Sequence, residues 1–348
     1  MTGREADPAI VALGGGHGLY ATLSAVRLLT AKITAVVTVA DDGGSSGRLR
    51  SELGVLPPGD LRMALAALAE DTEGVWARTV QHRFGGTGAL AGHSVGNLIV
   101  AGLTEVLGDP VAALDEVAKM LRITGRVLPM SPIALDIEAD VSGLEADPRV
   151  SRCIRGQVAV ATTPGKVRRV RLIPSDPPAS PQATSAIEHA DVVVLGPGSW
   201  FTSVIPHVLV PELRDALVYT RARKVLVLNL AAEPGETAGF SAERHLHVLS
   251  QHAPEFVVDE VLVDAGSVPE GREREHVARA AEQLRARVTF SEVAEAGTDR
   301  HHPGKLAAAL DQLIRQPRPQ MAGLRVEGRH MGADVRSGLG GKERVSWR

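Results

Sequence analysis

Two glycine-rich runs, each directly behind an apolar run, hold the residue types from which an anion site is built. Gly14, Gly15, Gly16, His17 and Gly18 follow the apolar residues 9–13, and Asp41, Asp42, Gly43, Gly44, Ser45, Ser46, Gly47 and Arg48 follow 33–39. Glycine lets backbone N–H groups approach a ligand, and a helix starting at such a turn offers unpaired donors and the positive end of its dipole to an anion. Two such turns at the ends of successive parallel strands face one crevice, which suits a nucleotide or a sugar phosphate. His17 either points at the ligand or caps the helix. Asp41 and Asp42, adjacent at a strand end, can accept ribose hydroxyls or hold magnesium beside a diphosphate. Ser45 and Ser46 add hydroxyl donors, and Arg48 adds charge-assisted contacts. The competing reading of this loop is an Asx-type turn that only caps a helix.

Three further polar loops are expected at the same edge. Pro57-Pro58-Gly59 precedes Asp60, at an N-cap position, and Arg62. His93, Ser94 and Asn97 open a longer helix. Gly196, Pro197, Gly198 and Ser199 follow another apolar run, with Thr202 and Ser203 beyond them, as a second phosphate-type cradle. Asn229 ends a further strand, before Pro234-Gly235-Glu236-Thr237. The first turn lacks the Lys-Ser or Lys-Thr of a P-loop, and Leu19 stands where a dinucleotide fingerprint places its third glycine. No zinc-protease motif, cysteine cluster, nucleophile elbow or Ser–His–Asp spacing nominates a nucleophile. The adjacent His301 and His302 suit a solvent-facing helix start.

These loops need an alternating α/β frame, and the periodicity provides one. Leu19, Leu23 and Val26 share a helical face, as do Leu61, Leu65 and Leu68. Two more helices span 95–107 and 111–121. Residues 123–173 read as a small β-rich insert, with short strands at 127–130, 133–141, 157–162 and 167–173. The alternation resumes with strands at 191–195, 224–230 and 257–264. A last helix after Pro303 sets Leu306, Leu310 and Leu313 on one face. One domain, 9–315, is expected, with 316–348 a disordered tail.

Composition narrows the partners. Apolar residues make up 44% of 348, enough for a large core, while aromatics at 3% leave few rings for stacking bases. Lys+Arg number 38 against Asp+Glu 41, a net charge of -3, which argues against wholesale nucleic-acid binding. Cys153 is the only cysteine, so no intrachain disulfide forms; it reads as a small packed residue in a reduced, cytoplasmic setting. No apolar run is long enough to span a bilayer, and the N-terminus lacks the apolar stretch of an export signal.

The motifs G-G-G-x-G, A-D-D-G-G-S-S-G-R-L, P-P-G-D-x-R, A-G-H-S-x-G-N, G-P-G-S-x-x-T-S-V-I-P and P-G-E-T occur in that order. Together, over residues 10–313, they resemble the YvcK branch of the CofD-like superfamily, the gluconeogenesis factors. The resemblance implies a Rossmann-like three-layer α/β/α fold with a mainly parallel sheet, and binding of UDP-N-acetylglucosamine or a related UDP-sugar. It also implies links to growth and cell shape on gluconeogenic carbon and to peptidoglycan synthesis, self-association, and a Ser/Thr kinase as partner. Carried onto this chain, Gly14, Gly15, Gly16 and Gly18 approach the nucleotide. Asp41, Asp42, Gly43, Gly44 and Ser45 line the crevice, with Asn97, Gly198 and Ser199 opposite and Arg300 at the phosphates. His17 stands where many relatives carry Thr, His302 replaces their Asp, and a tyrosine of the relatives has no counterpart between Pro269 and Phe290.

Three readings follow. The leading one is a cytoplasmic UDP-sugar-binding regulator that needs no cofactor. The second is a magnesium-dependent transferase similar to 2-phospho-L-lactate transferase, the related branch, with Asp41 and Asp42 as metal ligands. The third is a dinucleotide-binding protein with Asp41 as the ribose acid.

Overall fold

The computed structural model describes residues 7–318 apart from position 148. Seven strands form the main sheet: β1 (Ile10–Gly14), β2 (Ile33–Val37), β3 (Arg126–Pro129), β7 (Val192–Leu195), β8 (Arg223–Val227), β9 (Glu260–Asp264) and β10 (Arg287–Ser291). All pairs are parallel, in the order β10-β9-β8-β7-β1-β2-β3. Strands β1, β7, β8 and β9 are buried along their whole length. Continuous burial requires cover on both faces, which the crossover helices of a parallel sheet supply. This is the expected α/β Rossmann-like architecture. The apolar periodicity of the helices is realised: Leu19, Leu23 and Val26 are buried in the helix Gly16–Val26, and Leu306, Leu310 and Leu313 in the helix Pro303–Arg315.

A second, antiparallel sheet sits between β3 and β7 in sequence. It comprises β4 (Asp136–Ser142), β5 (Ser151–Arg155) and β6 (Lys166–Ile173), in the order β5-β4-β6. Three local expectations are corrected here. The run 127–130 contributes its strand to the edge of the main sheet, paired with β2. Residues 157–162 form no strand; Gln157–Ala161 is a short helix. Cys153 is exposed on β5, not packed. The tail from 319 onward lies outside the described residues. Within them, no helix is long and apolar enough to cross a membrane.

Candidate functional site

The main sheet reverses its winding between β1 and β7. The chain leaves β1 for β2 on one side and β7 for β8 on the other, so a crevice opens beyond the carboxyl ends of the two neighbours. The first glycine turn, directly after Gly14, lies there with the phosphate-type cradle read after Leu195. Gly18 packs so closely on the second turn that a Cβ would penetrate the Pro197 carbonyl oxygen and the Gly198 Cα. The Thr22 hydroxyl donates to the Gly196 carbonyl at 2.9 Å and ties the same two elements together. Asn229, two residues beyond β8, grips Gly198 twice: Oδ1 accepts from its N–H at 2.9 Å and Nδ2 donates to its carbonyl at 3.0 Å.

The helix Gly16–Val26 has Gly15 as its cap residue and no side-chain cap bond. His17 therefore does not cap it; the imidazole is exposed at the crevice. A cavity of about 420 Å³ opens beside this turn. Its walls include His17, Gly18, Gly198, Asn229, Glu233 and Arg300, five of them singled out from sequence. Among the described residues the Arg300 guanidinium makes neither a hydrogen bond nor an ion pair. The segment carrying it is anchored by Asp264 at the end of β9, whose Oδ1 accepts from Val293 and Ala294 N–H at 2.8 and 3.0 Å.

The Asp41–Arg48 loop lies on the other side of the first turn, and most of its polar groups are already engaged. Arg62 Nε donates to Asn97 Oδ1 at 2.9 Å, Asn97 Nδ2 donates to Ser45 Oγ at 3.0 Å, and Ser45 Oγ meets His93 Nδ1 at 2.9 Å. All four are buried. Burial, and then Arg83, holds the Arg62 guanidinium down at about 10. Ser45, Arg62 and Asn97 thus set the shape of the loop from behind. Arg48 donates to the Ala91 carbonyl at 2.7 Å. Gly43 is the N-cap residue of the helix Gly44–Leu53.

The two aspartates part company. Asp41 Oδ1 accepts from Gly43 N–H at 2.9 Å, so the Asx turn does form. Asp42 Oδ1 instead accepts from Val158 N–H at 2.9 Å, at the start of the helix Gln157–Ala161. Asp60 is not an N-cap, because its helix begins at Pro58 with Pro57 as the cap residue. It reaches the glycine turn and accepts the Gly16 N–H. Burial, and then the charge of Asp41, raises this carboxyl to about 7.

Around the second turn, the Ser199 hydroxyl donates to Glu233 Oε2 at 2.8 Å, and Thr202 is buried within the π-turn Trp200–Val204. Glu236 accepts the Phe201 N–H at 3.1 Å; burial and then Glu233 push its carboxyl up to about 8. Three residues of the site were not picked out as such from sequence, Glu233, Asp264 and His301, and Glu236 was read only as part of the Pro234–Thr237 loop. Asp264 carries the same signal as Asp41, an acid closing a buried strand. His301 corrects the expectation of a solvent-facing pair. It is 8% exposed, while His302 beside it is exposed and caps the last helix through Nδ1, which accepts from Lys305 N–H at 3.3 Å.

The signature of the family described as 2-phospho-L-lactate transferase CofD matches residues 10–299. The chain belongs to the CofD family. Within that family its relatives carry the gluconeogenesis-factor name. A Mycobacterium leprae protein named provisionally in this way is 72% identical over 313 residues, covering 89% of this chain and 87% of its own. The gluconeogenesis factor of Bacillus subtilis is 35% identical over 321 residues, covering 89% of this chain and 99% of its own. The crystal structure of a UPF0052-family protein from Bacillus halodurans superposes on this CofD-family fold with a TM-score of 0.78 at 34% identity, covering 88% of this chain and 99% of that one.

Proposed function

We propose that the chain is a cytoplasmic binding protein for UDP-N-acetylglucosamine or a related UDP-sugar, acting as a gluconeogenesis factor that couples precursor supply to peptidoglycan synthesis and cell shape. The carrying observation is the 420 Å³ cavity at the point where the sheet reverses its winding, lined by the start of a helix at His17 and Gly18 and by the unengaged Arg300. A cavity of this size is within the range for cofactor-sized ligands. Its lining favours a sugar nucleotide over a bare polyphosphate. Glu233, Glu295 and Asp299 in the wall are acceptors suited to hydroxyls, and Arg300 with the helix start is suited to one diphosphate. Calorimetric titration with UDP-N-acetylglucosamine, with and without magnesium and with NAD as control, tests the reading. Saturable, magnesium-independent binding that Arg300→Ala abolishes is expected; no binding, or equal binding by Arg300→Ala, overturns it.

A magnesium-dependent transferase is the second reading, favoured by the transferase signature that the chain matches. Asp41 and Asp42 each already give Oδ1 to a different backbone N–H, which counts against their acting as the metal pair. Asp41 with Asp60 fits better, since their charges interact beside the glycine turn and magnesium needs only one or two carboxylates next to substrate phosphates. Bound there, the ion would neutralise a diphosphate leaving group. Magnesium-dependent turnover that Asp41→Asn abolishes would establish this reading.

A further inference from the structure

The proposed ligand cavity extends beyond the anion-binding start of its helix. His17, Tyr20, Ala21 and Ser24 all line it. They stand at positions i, i+3, i+4 and i+7 of the helix Gly16–Val26, which is one face of that helix. The cavity therefore follows this face from the helix start inward, over a rise of roughly 10 Å from His17 to Ser24. Leu230, Ala231 and Ala232, in the loop after β8, contribute apolar wall. Tyr20 is the one phenylalanine, tyrosine or tryptophan in the lining. Rings are scarce in this chain, and Trp200, Phe201 and Phe256 are taken up by the core. Tyr20 packs partly against that core and keeps part of its surface exposed. Among the described residues its ring meets no other aromatic ring and no cation.

The diphosphate and hydroxyl contacts proposed above leave this aromatic surface unused. Arg300 and the helix start take the phosphates, and the carboxylates of the wall take sugar hydroxyls. The part of a sugar nucleotide without a partner is its base, a flat ring whose faces need apolar or aromatic cover, and an aromatic side chain supplies that cover by stacking. We infer that Tyr20 is the base platform of the site, the uracil lying against its ring with the diphosphate toward the helix start. This inference rests on the UDP-sugar reading of the cavity. It adds the direction in which the ligand lies. The anion donors belong to the first residues of the helix and Tyr20 follows them along the same face, which leaves the ribose between the two, as the covalent order of a nucleotide requires.

The chain has only two tyrosines, Tyr20 and Tyr219. Tyr219 is 78% exposed and lines a different recess. Perdeuterated protein carrying protonated tyrosine therefore offers two ring systems, told apart by Tyr219→Phe. With UDP-N-acetylglucosamine bound, nuclear Overhauser contacts should join the Tyr20 ring protons to uracil H5 and H6. This measurement needs no change at Tyr20 and stands even if variants there fail to fold. In parallel, UDP-N-acetylglucosamine and UDP are titrated into the parent, Tyr20→Phe and Tyr20→Ala, with melting temperatures as a check on folding. Tyr20→Phe keeps the ring and should bind both ligands within about twofold of the parent, whereas Tyr20→Ala should lose about tenfold for both. The two ligands should lose equally because both carry the base. Parent-like binding of UDP by a folded Tyr20→Ala, or contacts from Tyr20 to hexose protons in place of uracil, overturns the base platform and leaves the UDP-sugar reading intact. A parent that binds neither ligand overturns both.

Discussion

Replacing Asp60 by asparagine tests the electrostatics of the glycine turn. Burial, and then the charge of Asp41, raises the carboxyl from 3.8 to about 7, against the opposing pull of the Gly16 N–H and Arg62. Unfolded, the same carboxyl ionises near its ordinary value. Between those two pH values the unfolded chain has lost the proton and the folded chain keeps it. The folded state binds more protons, so stability falls as pH rises and levels off above about 7. From pH 5 to pH 8 the linkage amounts to roughly 2.5 kcal/mol, and the residual solvent contact of Asp60 reduces it to about 1–2 kcal/mol. Asparagine has nearly the same shape, can still accept the Gly16 N–H and does not ionise. Glu236, also raised, contributes equally to both proteins and cancels in their difference. In calorimetric melts at pH 5 and pH 8, the parent should therefore lose about 2–4 °C more than Asp60→Asn, at roughly 2 °C per kcal/mol. A gap between the two proteins that is constant with pH, or that moves in favour of the parent as pH rises, refutes a neutral carboxyl at this position.

Four further outcomes are expected. Gly18→Ala, which in an ordinary helix would stabilise, should instead cost about 1–3 kcal/mol in urea unfolding, because the methyl group drives into the Pro197–Gly198 backbone; a gain in stability would show that the two turns are not in contact. Arg62→Met strips a buried donor from Asn97 and a cation from beside Asp60, with an expected loss of about 3 kcal/mol by the same assay. His302→Asp should be neutral to slightly stabilising, whereas His302→Ala should cost about 1 kcal/mol, since an aspartate can take over the cap that His302 provides. Cys153 should react one-to-one with a thiol reagent in the native protein; reaction only after denaturation would contradict its exposure on β5.

The frame of the molecule was legible in the sequence because it is written in local periodicity. The buried strands β1 and β7 are continuous apolar runs, β8 and β9 carry apolar centres at 225–227 and 261–263, and the helices Val95–Leu107 and Pro303–Arg315 begin and end close to where their patterns do. β10 was missed because its residues Arg287–Ser291 are only partly buried and so carry no apolar run. Gln-Val-Ala-Val-Ala alternates as a strand should, yet 157–161 is helical. The deciding contact, Asp42 on Val158 N–H, spans 116 positions, which no local pattern encodes. The candidate site divides in the same way. The residue types at the crevice could be read, but not which of them face the cavity and which face each other: Ser45, Arg62 and Asn97 turned out to be bonded among themselves. The burial of His301 is likewise a property of packing, since nothing in an adjacent histidine pair separates one ring from the other.

The short helix Gln157–Ala161 touches both halves of the crevice. Its first turn receives Asp42 from the loop after β2, and at its other end the Ala161 carbonyl accepts from Glu236 N–H at 3.3 Å. Two of its neighbours have no room for a side chain: a Cβ on Gly156 would strike the Asp42 carboxylate, and one on Gly235 would strike the Ala161 carbonyl oxygen. Glycine is therefore required at 156 as long as Asp42 holds this helix, and at 235 whatever residue stands at 161, because the atom in the way there is a backbone oxygen. Grafting the insert from a distant relative would require carrying the loops at Asp42 and Gly235 with it.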